Sequence, residues 1–211
     1  MNSFMFSDFI LRAFFPSVCP VCSARVSDAG SLCPNCFSRL DFVSDNSEKQ
    51  IAAVVYNETS KHLIMGLKYG DRLDLAPLLA RLMYNAGNDL LRKADLLTCV
   101  PLHWKRMLSR KYNQAAVLSA ELSKLSGIPS NPELLKRVKA TPKQGTRKER
   151  FENVKNAFAM NSKDEIQGKT IILIDDVLTT EATARSCVEI LKKNGAKDVG
   201  VLTFAKARQG N

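Results

Sequence analysis

Short continuous apolar runs alternate along the chain with stripes at helical spacing. Runs at 51–56, 96–100, 134–138, 170–174 and 199–204 predict strands, and Thr170-Ile171-Ile172-Leu173-Ile174 is the clearest buried one. Residues 63–91 read as helical, broken around Lys68-Tyr69-Gly70-Asp71. Residues 113–125 read as an amphipathic helix stopped by Gly127 and Pro129, and 183–194 as a helix ended by Gly195. This alternation predicts an α/β fold, a mostly parallel sheet flanked by helices. The polar stretch 44–50 has the composition of a linker, dividing the chain into 1–43 and 51–211. The Phe-rich first sixteen residues, interrupted by Asp8 and Arg12, predict a short amphipathic helix packed on the rest of the protein. No basic n-region precedes them, so they do not read as an export signal.

Composition narrows the class. With 211 residues, 45% apolar and 25% charged, the chain is neither collagen-like nor intrinsically disordered. No apolar run approaches the ~20 residues that span a bilayer, so a cytoplasmic protein, not an integral membrane one, is expected. The net charge of +10 is unevenly spread: residues 92–155 hold 15 Lys and Arg against 5 Asp and Glu, and the remainder is neutral. A concentrated positive field suits a polyanion such as phosphate, pyrophosphate or nucleic acid; a solvated basic face is the competing reading.

Four of the six cysteines, Cys19, Cys22, Cys33 and Cys36, form C-x2-C-x10-C-x2-C. Each C-x2-C makes a tight turn that aims two thiolates at one point, and Pro20 and Pro34 stiffen the turns. With four thiolates and no open position, the expected group is a structural Zn2+, with a redox dithiol as the alternative. Cys99 and Cys187 lie alone in apolar segments and read as core residues.

The segment 170–183 carries the candidate chemistry. Its apolar run ends in Asp175 and Asp176, and a hydroxyl-rich turn with Thr179, Thr180 and Thr183 feeds a helix. In open α/β sheets ligands bind outside the carboxyl ends of strands, and a helix N-terminus suits a phosphate. The two acids suit sugar hydroxyls, or a divalent cation bound with the sugar. Helix capping alone needs one such side chain, not five. Neither a P-loop nor a G-x-G-x-x-G fingerprint occurs.

Residues 171–183 resemble the phosphoribosyl pyrophosphate (PRPP) motif of type I phosphoribosyltransferases. More broadly the chain resembles the ComF family (ComFC, GntX-like) of bacterial DNA uptake and DNA utilisation. The resemblance rests on the four-cysteine finger, Leu67-Lys68-Tyr69 and Val100-Pro101-Leu102-His103-Trp104-Lys105-Arg106. It continues through Asn113-Gln114, Arg137, Thr141, Gln144, Arg150, Asn153-Val154 and Ala157-Phe158 to the PRPP motif. It implies a type I phosphoribosyltransferase-like sheet with a small N-terminal four-cysteine zinc finger. It implies that Asp175 and Asp176 bind ribose hydroxyls, that the loop of Leu178, Thr179, Thr180, Glu181, Ala182 and Thr183 wraps the 5′-phosphate, and that Leu102, His103, Trp104 and Lys105 face the pyrophosphate and its Mg2+. Glu181 departs from the family pattern, which has glycine there. Arg106, Arg110, Lys111, Arg137, Lys139, Lys143, Arg147 and Arg150 are the cations expected to meet an anion or single-stranded DNA. His103 reads as a positioning residue before a general acid or base.

Three functions compete. The chain is a DNA-uptake protein binding PRPP or a related phosphosugar and single-stranded DNA; or an active phosphoribosyltransferase on an unidentified acceptor; or a zinc-centred scaffold for a DNA-uptake helicase or membrane channel.

Overall fold

The computed structural model describes residues 17–102, 111–138, 157–161, 166–178 and 181–208. Six strands are described: β1 (Gln50–Val55), β2 (Leu96–Cys99), β3 (Leu135–Arg137), β4 (Phe158–Met160), β5 (Thr170–Leu178) and β6 (Asp198–Lys206). The helices are α1 (Pro34–Phe37), α2 (Glu58–Tyr69), α3 (Ala76–Ala86), α4 (Asn88–Leu91), α5 (Gln114–Ser126) and α6 (Glu181–Lys193), with a 3₁₀ turn at Leu73–Leu75.

The main sheet has the order β1-β6-β5-β2, with every pairing parallel. Such a sheet needs cover on both faces, which is why β5 reads as an unbroken apolar run rather than an alternation. Ile172, Ile174, Leu202 and Phe204 face a core completed by α2, α3 and α5. Ile171, Leu173, Val199 and Val201 face α6 and the small antiparallel sheet β3-β4. Gly200 lets α4 approach: a Cβ there would lie 2.7 Å from Leu90 Cδ1 and 3.0 Å from Ile172 Cδ1. Gly127, at φ 74°, ends α5 as a left-handed cap.

The structure bears out the parallel sheet with flanking helices and moves several boundaries. Helix α2 starts at Glu58, five residues before its apolar stripe. Asn57 Oδ1 accepts the Ser60 amide at 3.0 Å and Ser60 Oγ accepts the Asn57 amide at 2.8 Å, a polar capping box that apolar periodicity does not register. Strand β5 runs four residues past Ile174, because pairing with β6 continues to Leu178 opposite Lys206. The segment 134–138 does not join the main sheet; β3 pairs with β4 instead. The polar stretch 44–50 lies along the edge strand β1, where Asn46 exchanges hydrogen bonds with both backbone groups of Ala52 (2.9 and 3.1 Å) and Phe42 bridges Val54. Among the described residues no helix is long and apolar enough to cross a membrane. The expected N-terminal helix lies outside the described residues.

Candidate phosphosugar site and metal centre

The four cysteines converge as their spacing requires. All four Sγ atoms lie within 4.8 Å of one another, and Cys22 and Cys33 approach to 3.5 Å. Tetrahedral Zn–S bonds of about 2.3 Å put the sulfurs about 3.8 Å apart, so the cluster fits one zinc ion with no position left for substrate. Cys33 also caps α1, taking the Cys36 amide on its sulfur at 3.4 Å. By contrast Cys99 and Cys187 are buried singly. Burial first, and the charge of Asp175 second, push the Cys99 thiol up to about 12 and Cys187 well above its ordinary value. Both are inert core thiols.

The acids lie within β5 rather than in the turn after it, at the carboxyl edge of the sheet. Successive strand positions turn to opposite faces. Asp176 turns to the face covered by α2, where Lys68 Nζ meets its Oδ2 at 2.6 Å and both side chains are largely buried. Asp175 takes the Asp176 amide on Oδ1 at 2.8 Å. Burial first, and the neighbouring Asp176 charge second, push the Asp175 carboxyl up to about 8.

Beyond the acids, Leu178 ends β5, and Glu181, Ala182 and Thr183 form the first described turn of α6. Ala182 is buried, Thr183 half-buried and Glu181 exposed. Leu178 and Glu181 open onto a cavity of about 560 Å³ that Asp45, Asn46, Lys206 and Arg208 also line. The turn itself, Thr179 and Thr180, lies outside the described residues.

The basic loop is described at its two ends. Leu102 is half-buried at its start, while His103, Trp104, Lys105, Arg106 and Arg110 lie outside the described residues. At the far end Asn113 caps α5 through its own Oδ1 and donates from Nδ2 to the Val100 carbonyl at 3.1 Å, tying the end of the loop to its start. Tyr112 donates its hydroxyl to the Leu67 carbonyl at 2.6 Å. Lys111, an expected anion ligand, is ion-paired with Asp71 at 2.6 Å. Arg137, another, places its guanidinium 5.1 Å from the centre of the Phe158 ring. Lys139, Lys143, Arg147 and Arg150 lie outside the described residues. Sequence reasoning assigned no role to Lys68 or Asp71. The signal at Lys68 was a lysine one helical turn after the buried Ile64, on the stripe that packs on the sheet.

Comparisons with known proteins agree with this layout. A double zinc ribbon domain model matches residues 10–59, although that stretch holds only one set of four cysteines. A phosphoribosyl transferase domain model matches residues 124–211. The fold and the comparisons together define a zinc-ribbon protein with a phosphoribosyltransferase-type domain. Competence protein F of Haemophilus influenzae is 32% identical over 197 residues, covering 90% of this chain and 84% of that protein. The DNA utilization protein YhgH of Salmonella typhimurium is 29% identical over 211 residues, covering 87% and 88%. The chain belongs to the ComF family, that of competence protein F and YhgH. Among solved structures, an adenine phosphoribosyltransferase from Thermoanaerobacter pseudethanolicus aligns with a TM-score of 0.43 at 13% identity, over 64% of this chain and 82% of that one.

Both halves of this geometry can be tested. Metal analysis of the purified protein should find one zinc per chain, and Cys36→Ala should lose it while the circular dichroism of the α/β domain persists; full zinc retention would contradict the cluster. For Asp175, the unfolded chain gives up its proton near pH 3.8 and the folded one near 8. The unfolded state therefore binds fewer protons across that interval, and this group's contribution to stability falls as pH rises through it. The stability of Asp175→Asn relative to the native protein should then rise by more than about 1 kcal/mol between pH 5 and pH 8 in urea unfolding. A pH-independent difference would mean the acid is ordinarily ionised.

Proposed function

We propose that the α/β domain binds PRPP or a related phosphosugar with Mg2+, and that the protein serves DNA uptake or DNA utilisation, with single-stranded DNA as its second anionic ligand. One observation carries the ligand reading: two carboxylates lie near the carboxyl end of an inner strand of a parallel sheet, and the last residue of that strand, Leu178, opens with the first turn of a 13-residue helix onto a cavity. Positive partial charge at the α6 N-terminus favours the 5′-phosphate. Asp175 and Asp176 offer oxygens to the sugar hydroxyls. The exposure of Glu181 lets its carboxylate turn to water, away from the phosphate. Mg2+ would be bound with the pyrophosphate and offset its charge, and the resemblance assigns the loop of Leu102, His103, Trp104 and Lys105 to that group. Support for the DNA reading comes from the names of the relatives and from the positive charge concentrated in 92–155.

A second reading, transfer of the phosphoribosyl group with release of pyrophosphate, is favoured by a match to orotate phosphoribosyltransferase of Bradyrhizobium diazoefficiens. That protein is 29% identical over 96 residues, 46% of this chain and 48% of its own length. In that case catalysis comes from positioning and electrostatics, without a covalent side chain, and pyrophosphate release with candidate acceptors is its assay.

Calorimetric titration with PRPP and Mg2+ tests the first reading. The native protein should bind saturably and Asp176→Asn at least tenfold more weakly; equal affinities would remove the acids from the site. Single-stranded DNA binding should weaken with salt and with Arg147→Glu and Arg150→Glu, and indifference to both would end the DNA reading.

A further inference from the structure

The buried positions of α2, Ser60, Leu63, Ile64 and Leu67, form the stripe that packs on the sheet. Lys68 stands at the end of that stripe, where packing alone calls for another apolar side chain. Its ammonium reaches Asp176 Oδ2 at 2.6 Å, with 18% of the lysine side chain and 12% of the aspartate exposed. Desolvating two charges offsets most of what their attraction gains, and an apolar pair of similar volume serves stability equally well. The ion pair has another use: it holds one carboxylate pointed one way.

The turn that carries Lys68 is itself held from outside. Leu67 accepts the Tyr112 hydroxyl and Asp71 accepts Lys111, both at 2.6 Å. Asp71 and Lys111 both have left-handed backbones, at φ 49° and 64°, a strained conformation for residues with side chains. One turn at the end of α2 therefore joins the end of the basic loop to the acid at the edge of β5.

We propose that Lys68 is a positioning residue of the sugar site: by engaging Oδ2 of Asp176 it fixes the direction in which Oδ1 accepts a sugar hydroxyl, and so makes the site selective for a pentose 5-phosphate with an intact vicinal diol. The inference rests on the phosphosugar reading above and names the group that gives that site its selectivity. A carboxylate with one oxygen held has its plane set and its other oxygen fixed in direction. A site built to pair a hydroxyl rejects the analogue lacking it, because the acceptor is left unpaired. Released from Lys68, the carboxylate turns toward water and accepts either sugar.

The test is a ligand-observed NMR titration with ribose 5-phosphate, its 2-deoxy and 3-deoxy counterparts, and inorganic phosphate. The native protein should bind at least one deoxy sugar tenfold or more weakly than ribose 5-phosphate. Lys68→Met should reduce that ratio below threefold while phosphate binding stays unchanged, and Lys68→Arg should restore part of the ratio. If Lys68→Met fails to fold, Lys68→Gln carries the same expectation. A native ratio preserved in the folded Lys68 variants, or phosphate affinity falling along with it, would overturn the role of Lys68 and leave the phosphosugar reading standing. A native protein that binds none of the sugars overturns that reading and this inference with it; one that binds all three alike overturns the inference alone.

Discussion

The arrangement depends on a charge problem at the end of a buried strand. β5 is flanked by β6 and β2 and covered on both faces, so four consecutive side chains, Ile171 to Ile174, are fully buried. Two carboxylates follow directly. Burying an unpaired carboxylate is prohibitive, and adjacent acids compound the cost by repulsion. The protein meets this in two ways. Asp176 is given the Lys68 ammonium, and burial pushes the Asp175 carboxyl up to about 8, which favours its neutral form. Acids that served only the fold could have been replaced by apolar residues; the proposed ligand site gives them a use at the sheet's carboxyl edge.

Other features follow from holding those groups in place. Helix α2 must end where Lys68 can reach the sheet, so its start is fixed by the Asn57–Ser60 box and its last turn is gripped by Tyr112 and Lys111. Asn113 bonds to Val100 across the basic loop, so the two ends of that loop share one anchor. Farther away, the zinc ribbon supplies the rigidity that an eighteen-residue stretch with few apolar residues cannot get from a core of its own.

Much of this was legible in the order of the residues. Continuous apolar runs exposed the parallel strands, cysteine spacing exposed the ribbon, and an apolar run ending in two acids and a hydroxyl-rich turn exposed the candidate site. What was not legible has physical reasons. The cap at Asn57 is polar, so apolar periodicity placed the start of α2 too late. The polar stretch 44–50 looks like a linker because it lies on a sheet edge, where water satisfies one side and β1 the other. The strand at 134–138 was legible but its pairing was not, because its partner β4 is three residues long, too short to show a period. The roles of Lys68 and Lys111 depend on partners 108 and 40 positions away in the chain, and no local pattern reports such pairings.

Hydrogen exchange with and without saturating PRPP and Mg2+ tests most directly whether the edge of β5 is the ligand site. Slowed exchange should be confined to peptides covering 171–183 and the α2 turn at 64–72, with 17–40 in the ribbon unchanged. Protection restricted to the ribbon, or none at either segment while calorimetry reports binding, would place the ligand elsewhere and contradict the account.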